Sequence, residues 1–118
     1  MPNDVPCGVT NGMVSIPGAM TPTEVMTAHC ASADMIKLFP VSSLDLSYVK
    51  AIMAPLSGLR FAAVGGVNLD NIPEYRSPVL SVLATAAILS TKKRWLPGDY
   101  ATITALAARY VEALNGNE

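Results

Sequence analysis

The sequence predicts an α/β domain in which parallel strands alternate with helices. Short apolar runs, typical of buried strands, occur at residues 13–17, 34–39, 59–64 and 79–87, and each precedes a segment with helix signals. The runs are continuously apolar rather than alternating, which indicates a parallel sheet covered on both faces. Four such units make either a small open sheet or half of a closed barrel, and periodicity alone does not choose between them.

The first two helices are predicted from their start and stop signals. The segment Thr21-Pro22-Thr23-Glu24 has the spacing of a capping box, with proline at the first helical position, where its missing N–H costs nothing. This helix should run to about Ala31. A second helix, near Ser47 to Ala54, is stopped by Pro55.

The third helix should start after Asn68, a good cap residue, and continue through Tyr75. The last helix has Asp99 as its candidate cap and Gly116 just past its end. Its apolar residues are predicted to form one stripe towards the core: Ile103, Leu106, Ala107, Tyr110, Val111 and Leu114.

Composition excludes several classes of protein. The chain has 118 residues, enough for one domain, and its 51% hydrophobic and 14% charged residues exclude a disordered chain. A formal net charge of -1 does not indicate binding to nucleic acid or to an anionic membrane. The cluster Lys92-Lys93-Arg94 is interpreted as a solvated loop. The longest apolar stretch, residues 79–89, is too short to span a bilayer.

The cysteines and the single histidine do not have the spacing of metal ligands. Cys7 and Cys30 are interpreted as reduced thiols in a cytoplasmic protein without a signal peptide, and no metal site is expected. His29 lies on the first predicted helix, where a surface or packing role is favoured over catalysis.

Lys37 interrupts the apolar run 34–39 and has two interpretations. On a strand with one buried face, it can extend its charged end to solvent or pair with a carboxylate. In a closed apolar interior, desolvation would disfavour the ammonium and leave some neutral amine, which can attack a ketone or aldehyde to form a Schiff base.

Two other strand ends are candidates for binding. Functional groups in parallel α/β folds gather where strands end and helices begin. Gly65-Gly66 follows the third run and either forms a tight turn or lets amide N–H groups approach a phosphate. Pro17-Gly18 leads from the first run into the first helix.

Five segments in order together resemble the C-terminal half of the 2-keto-3-deoxy-6-phosphogluconate (KDPG) and 4-hydroxy-2-oxoglutarate aldolases. They are IPGAMTPTEV (16–25), ADMIKLFP (33–40), YVKAIMAPL (48–56), LRFAAVGGVNLDNIPEY (59–75) and GDYATITALAARYVEA (98–113). The resemblance implies one domain over residues 1–118 that corresponds to strands five to eight of a (β/α)8 barrel. The expected fold is therefore a TIM-barrel-related (β/α)4 half barrel.

The same resemblance implies a function and a set of site residues. Lys37 would be the catalytic residue of a class I aldolase-like lyase, which forms a Schiff base with a 2-keto acid and releases pyruvate without a cofactor. Phe39 and Pro40, with Pro17 and Gly18, would contact the substrate, a 2-keto acid or sugar-acid phosphate. The phosphate-binding residues would be Gly65 and Gly66. The alternative is a truncated, non-catalytic relative that only oligomerises or binds small ligands.

The chain departs from the family pattern in three places. The family's general acid/base glutamate and carboxylate-binding arginine come from early strands, for which this chain has no counterpart. Val64 stands where the family usually has threonine, and residues 85–88 read Thr-Ala-Ala-Ile where it typically has Gly-Gly-Ser/Thr. Because a proton-transfer group commonly contributes a factor of about 10²–10⁴, loss of the base alone would make a slow enzyme.

Four strands cannot close a barrel, so a homo-oligomer is expected. Open sheet edges and interior side chains would otherwise face water. A two-fold dimer of half barrels is the leading geometry, and a trimer through the outer surface is the competing one. A third arrangement pairs the chain with a separate polypeptide that supplies the N-terminal half.

Overall fold

The computed structural model describes residues 8–76, 80–85 and 98–116, and within them it shows four parallel strands in the order β1-β2-β3-β4. The strands are β1 (Gly18–Ala19), β2 (Ile36–Leu38), β3 (Phe61–Val64) and β4 (Leu80–Ala84). The helices are α1 (Pro22–Cys30), α2 (Leu46–Met53), α3 (Ile72–Tyr75) and α4 (Tyr100–Asn115), and a 3-10 turn covers Val41–Ser43. Strands and helices alternate along an open sheet, which confirms the predicted fold class of a partial α/β barrel.

The first predicted strand is wrong in position. The prediction was residues 13–17, whereas β1 begins at Gly18. The Ser15 carbonyl accepts from the N–H groups of Asp34 and Met35, but the Ser15 N–H donates to the Asp34 carboxylate at 2.8 Å. Since that donor is bound to a side chain, regular strand pairing starts only three residues later. The other three strands lie within their predicted runs.

The predicted starts of α1 and α4 are confirmed. Thr21 and Glu24 form both hydrogen bonds of the capping box, and Pro22 is the first residue of α1. In α4 the Asp99 carboxylate accepts from the Thr102 N–H at 3.3 Å, and Gly116 ends the helix at φ 72°. The cap of α2 was not predicted from the sequence: the Asp45 carboxylate accepts from the Ser47 N–H at 2.8 Å, so α2 begins at Leu46.

Two details of the helices correct the sequence predictions. The side-chain oxygen of Asn68 accepts from the N–H groups of Asp70 and Asn71, so Asn68 caps a turn and α3 begins only at Ile72. In α4, Tyr110 is buried, but Val111 is 55% exposed and Leu114 is 37% exposed. The stripe that packs on the core therefore excludes these last two residues.

Helices α1 to α4 pack on one face of the sheet. This face carries Ala19, Leu38 and Ala63, which lie side by side on adjacent strands and are buried. Side chains of the four helices pack against them: Val25, Ala28, Val49, Ile52, Met53, Ile72 and Tyr110. Burial of these apolar side chains is the main source of stability for a domain of this size.

The opposite face of the sheet is open. Its central row consists of Gly18, Lys37, Ala62 and Val82 on β1 to β4, since these residues are register partners and neighbours in register point to the same side. Ala62 is buried between its larger neighbours, whereas Val82 is 41% exposed. In a closed barrel this face would be the interior.

The capping box predicts a pH dependence of stability. Hydrogen bonds from the Met20 N–H, the Thr21 hydroxyl and the Thr21 N–H hold the pKa of Glu24 below its usual range. The ionised carboxylate therefore adds stability that is fully present above the unfolded-state value of about 4.3 and is lost as pH falls through the lower folded-state value. We expect Glu24→Gln to lower the thermal midpoint at pH 7, with the difference from wild type vanishing at low pH.

Thermal denaturation followed by circular dichroism between neutral and acid pH measures this difference. Glu112→Gln is the matched control, because Glu112 is an exposed glutamate of α4 that caps no helix. A Glu24→Gln difference that is constant with pH would contradict the assignment.

Candidate functional site

Lys37 lies at the centre of β2, on the open face of the sheet. Its backbone N–H donates to the Pro17 carbonyl at 2.8 Å, and its register partners are Gly18 and Ala62. The residues on either side of it, Ile36 and Leu38, point to the buried face, while Lys37 is half-buried. Glycine on one side and alanine on the other leave space around the lysine side chain.

The ammonium of Lys37 sits over an aromatic ring. Its Nζ is 4.4 Å from the centroid of the Phe39 ring, a cation–π contact with the residue that directly follows β2. Within the described residues, no carboxylate pairs with Lys37. The described contact of the Lys37 charge is thus with an aromatic ring, a partner that neither sequence interpretation anticipated.

The Gly65-Gly66 turn is packed against the segment that follows Lys37. Both glycines have positive φ, 93° and 76°. A Cβ on Gly65 would lie 3.1 Å from the Phe39 ring and from Pro40 Cβ, and a Cβ on Gly66 would collide with the Cβ of Ser42. The Ser42 N–H also donates to the Gly65 carbonyl at 3.1 Å. The lack of side chains at both glycines thus allows the turn after β3 to pack closely against residues 39–42.

Both carbonyls of this turn accept hydrogen bonds. The Asn71 side-chain amide donates to the Gly66 carbonyl at 2.9 Å, and its oxygen accepts from the Asn68 N–H at 2.8 Å. Among the described residues, the N–H groups of Gly65 and Gly66 have no acceptor. Two adjacent amide N–H groups at the end of a strand can donate hydrogen bonds to an anion such as a phosphate group.

Hydrogen bonds from neighbouring elements fix the loops around the site. The Thr85 hydroxyl, at the end of β4, donates to the Val67 carbonyl at 2.6 Å. The Tyr48 hydroxyl donates from α2 to the Met20 carbonyl at 3.1 Å, which ties α2 to the loop after β1. The Tyr75 hydroxyl donates to the Val41 carbonyl at 3.4 Å, and burial raises the pKa of this phenol above its ordinary value.

The predicted site residues therefore lie on the adjacent strands β1 and β2, directly before β1, and in the segments that follow β2 and β3. Pro17 and Gly18 flank Lys37 on one side, and Phe39, Pro40, Gly65 and Gly66 are in contact on the other. Sequence reasoning missed Ser42 and Asn71, which shape the glycine turn. The Asn68-Asn71 spacing directly after two glycines was a usable signal for Asn71, whereas nothing local marks Ser42.

Other predicted features lie elsewhere or outside the described residues. His29 and Cys30 are exposed at the end of α1, on the far side of the molecule's core. Cys7, the cluster at 92–94 and residues 86–88 lie outside the described ranges. Over those ranges no three His, Cys, Asp or Glu side chains are grouped as metal ligands would be. Nor does any helix in this part of the chain have the length and apolar character needed to cross a membrane.

An open parallel sheet whose strands alternate with helices, with a lysine on its open face and a glycine turn beside it, defines the class of this protein as a partial α/β barrel. A model of the KDPG and KHG aldolase family matches residues 5–106. The chain belongs to this family.

Individual relatives agree with this assignment. The chain is 49% identical over 67 residues to a probable 2-dehydro-3-deoxy-6-phosphogalactonate aldolase of Rhizobium meliloti, a match that covers 56% of the chain and 32% of the relative. It is 32% identical over 104 residues to a 2-dehydro-3-deoxy-phosphogluconate aldolase of Dickeya dadantii, covering 81% of the chain and 46% of the relative. The chain thus matches half or less of the length of these relatives.

A solved structure extends the likeness to the fold. The structure titled "Native KDPGal structure" superposes with a TM-score of 0.79 at 28% identity, over 98% of this chain and 57% of that one. The present sheet and helices therefore reproduce about half of a longer family member.

Proposed function

We propose that the protein is a class I aldolase-like lyase in which Lys37 forms a Schiff base with a 2-keto acid of the KDPG or 4-hydroxy-2-oxoglutarate type. The observation that supports this most directly is the position of Lys37. It lies on the inner face of the sheet, between Gly18 and Ala62, and no carboxylate among the described residues neutralises it. Family membership supports the same chemistry.

In the proposed reaction, the neutral Lys37 amine attacks the C2 carbonyl of the keto acid. A C–N bond forms, and the carbonyl oxygen leaves as water with both amine protons. The imine then takes a proton from solvent. The protonated imine withdraws the electron pair of the C3–C4 bond as that bond breaks. The C4 hydroxyl gives up its proton as the aldehyde leaves, the enamine is protonated at C3, and hydrolysis of the imine releases pyruvate and restores the amine.

The remaining residues of the site have proposed binding roles. Phe39 and Pro40 form an apolar wall beside Lys37, and Pro17 and Gly18 bound the other side. The free amides of Gly65 and Gly66 would donate to the phosphate of a sugar-acid phosphate. No cofactor is required for imine chemistry of this kind, and a location in the cytoplasm remains the expectation from sequence.

Trapping with pyruvate and borohydride tests the nucleophile. We expect reduction of the imine to give a stable secondary amine on Lys37, located by mass spectrometry of proteolytic peptides. Lys50, which is exposed on α2, is the internal control and should stay unmodified. Absence of an adduct, or equal labelling of Lys37 and Lys50, would overturn the proposal.

A second candidate function is that of a non-catalytic relative that binds small carbonyl or anionic ligands. It is favoured by the absence, among the described residues, of a carboxylate near Lys37 that could transfer protons. Retro-aldol turnover, measured as pyruvate release from KDPG, separates the two functions. An adduct on Lys37 without turnover would assign the binding function.

A further inference from the structure

The short helix α3 is attached to the glycine turn at one end and to the segment opposite that turn at the other. Asn71 directly precedes α3, and its side-chain amide donates to the Gly66 carbonyl at 2.9 Å. Tyr75 is the last residue of α3, and its hydroxyl donates to the Val41 carbonyl at 3.4 Å. The 3-10 turn that begins at Val41 packs through Ser42 against Gly66, so α3 holds both sides of this contact.

The Asn71 side chain is held in one orientation. Its oxygen accepts from the Asn68 N–H at 2.8 Å, so its NH2 group is the end directed at the Gly66 carbonyl. The Asn68 side-chain oxygen in turn accepts from the N–H groups of Asp70 and Asn71. Local bonds of this kind fix a side chain within its own turn, and the contact with Gly66 therefore requires no further ordering of Asn71.

The Tyr75 hydroxyl binds a turn that is itself anchored in the core. The Val41 carbonyl also accepts from the Leu44 N–H at 3.1 Å, which closes the 3-10 turn, and the Val41 side chain is fully buried. Tyr75 is half-buried and packs against the same core. The hydroxyl therefore connects α3 to the turn that keeps Ser42 against Gly66.

The two held carbonyls determine where the Gly66 N–H points. The Ser42 N–H donates to the Gly65 carbonyl at 3.1 Å, and Asn71 donates to the Gly66 carbonyl. Because the peptide between the two glycines is trans, the Gly66 N–H points to the opposite side from the Gly65 carbonyl, away from Ser42. Both peptide planes that meet at Gly66 are thereby fixed, and its N–H has no acceptor among the residues that the structure describes.

We propose that Asn71 and Tyr75 are positioning residues for the anion subsite at the glycine turn. Asn71 acts through the Gly66 carbonyl, and Tyr75 acts through the 3-10 turn that carries Ser42, so neither side chain needs to touch the ligand. This role rests on the proposed function, in which the glycine turn binds the phosphate of the substrate. An N–H group that is oriented before the anion arrives requires no rearrangement on binding. Without these two hydrogen bonds the peptide planes of the turn can rotate, and the Gly66 N–H is no longer held towards the anion.

The first test measures binding of inorganic phosphate to the full-length protein and needs no activity. In ¹H–¹⁵N NMR spectra at constant ionic strength, the Gly66 amide signal of the wild type should shift to saturation as phosphate is added. Asn71→Ala should weaken binding by about tenfold, because it removes the hydrogen bond made to the turn itself. Tyr75→Phe should weaken it by about threefold, because its hydroxyl acts through the neighbouring turn.

The matched controls carry the same substitutions on α4. Tyr100→Phe removes a hydroxyl from a residue that is 73% exposed, and Asn115→Ala removes an exposed amide at the end of the helix. Both should bind phosphate as the wild type does, and circular dichroism verifies that all variants are folded. A wild-type Gly66 signal that does not saturate would overturn the subsite together with the positioning role. Unchanged binding in folded Asn71→Ala or Tyr75→Phe would overturn the role of that residue.

The second test separates this role from general damage to the site. Pyruvate has no phosphate, so borohydride trapping of pyruvate on Lys37 reports on the lysine alone. In both variants the loss of phosphate affinity should be larger than any loss in the rate of trapping. Equal losses would show that the substitutions disturb the whole site, and would overturn the positioning role. Absence of an adduct in the wild type would instead contradict the Schiff-base function, while the phosphate titration still decides whether Asn71 and Tyr75 position the turn.

Discussion

Replacing Gly66 with alanine is expected to destabilise the protein by about 2–6 kcal/mol. The residue has φ 76°, where an L side chain is strained, and the new Cβ would collide with the Cβ of Ser42. Backbone strain of this kind costs about 1–3 kcal/mol, and overpacking adds a similar amount. Chemical denaturation of the wild type and the variant measures the loss.

Substitutions at two other glycines separate the cost of backbone strain from the cost of overpacking. Gly12 has φ 66° with nothing within 4 Å of a Cβ, so Gly12→Ala should show the strain alone. Gly58 has neither a positive φ nor a close neighbour, so Gly58→Ala should change stability by less than about 0.5 kcal/mol. Equal losses at all three positions would show that Ser42 does not press against the glycine turn.

A second substitution tests the contact directly. Ser42→Gly removes the Cβ that the alanine would strike, so it should recover the steric part of the loss in the Gly66→Ala background. The remaining destabilisation should match that of Gly12→Ala. If the double variant is no more stable than Gly66→Ala alone, the destabilisation does not come from the contact with Ser42.

Replacing Lys37 with arginine is expected to abolish imine chemistry while keeping the charge. A guanidinium can remain over the Phe39 ring, but it stays protonated and cannot attack a carbonyl. Removal of a catalytic nucleophile commonly costs about 10³-fold or more in rate. Exchange of the pyruvate methyl protons for deuterium, followed by NMR, measures this loss because the exchange requires the enamine.

The control for this experiment is Lys50→Arg, an equivalent change on the exposed surface of α2. Its exchange rate should equal that of wild type. Circular dichroism should show both variants folded. Methyl exchange that persists in Lys37→Arg would exclude Lys37 as the nucleophile.

The elements that were predicted correctly are those whose causes are local in sequence. The start of α1 depends on Thr21, Pro22 and Glu24, which act within one turn, and the start of α4 depends on Asp99 three residues before its hydrogen-bond donor. The start of β1 depends on Asp34, which binds the Ser15 N–H from 19 residues away. Because this carboxylate is so distant in sequence, no local pattern predicts where β1 begins.

The same distinction between local and distant causes applies to the candidate site. The run around Lys37 predicted a strand, and the structure contains it, but how far the lysine is buried depends on what covers the open face of the sheet. The glycines predicted a turn, whereas the reason for both of them lies in Phe39, Pro40 and Ser42 on another loop. Sequence patterns predicted the candidate residues, whereas contacts between segments distant in sequence determine how they are arranged.

The Phe39 ring has a geometric consequence for any ligand. One part of the ring contacts the Lys37 ammonium, and another fills the space beside Gly65 that a Cβ would occupy. A molecule that touches both the lysine and the glycine amides must therefore pass over the exposed edge of this ring. The proposed function therefore requires a substrate whose keto group and terminal anion are far enough apart to span the Phe39 ring.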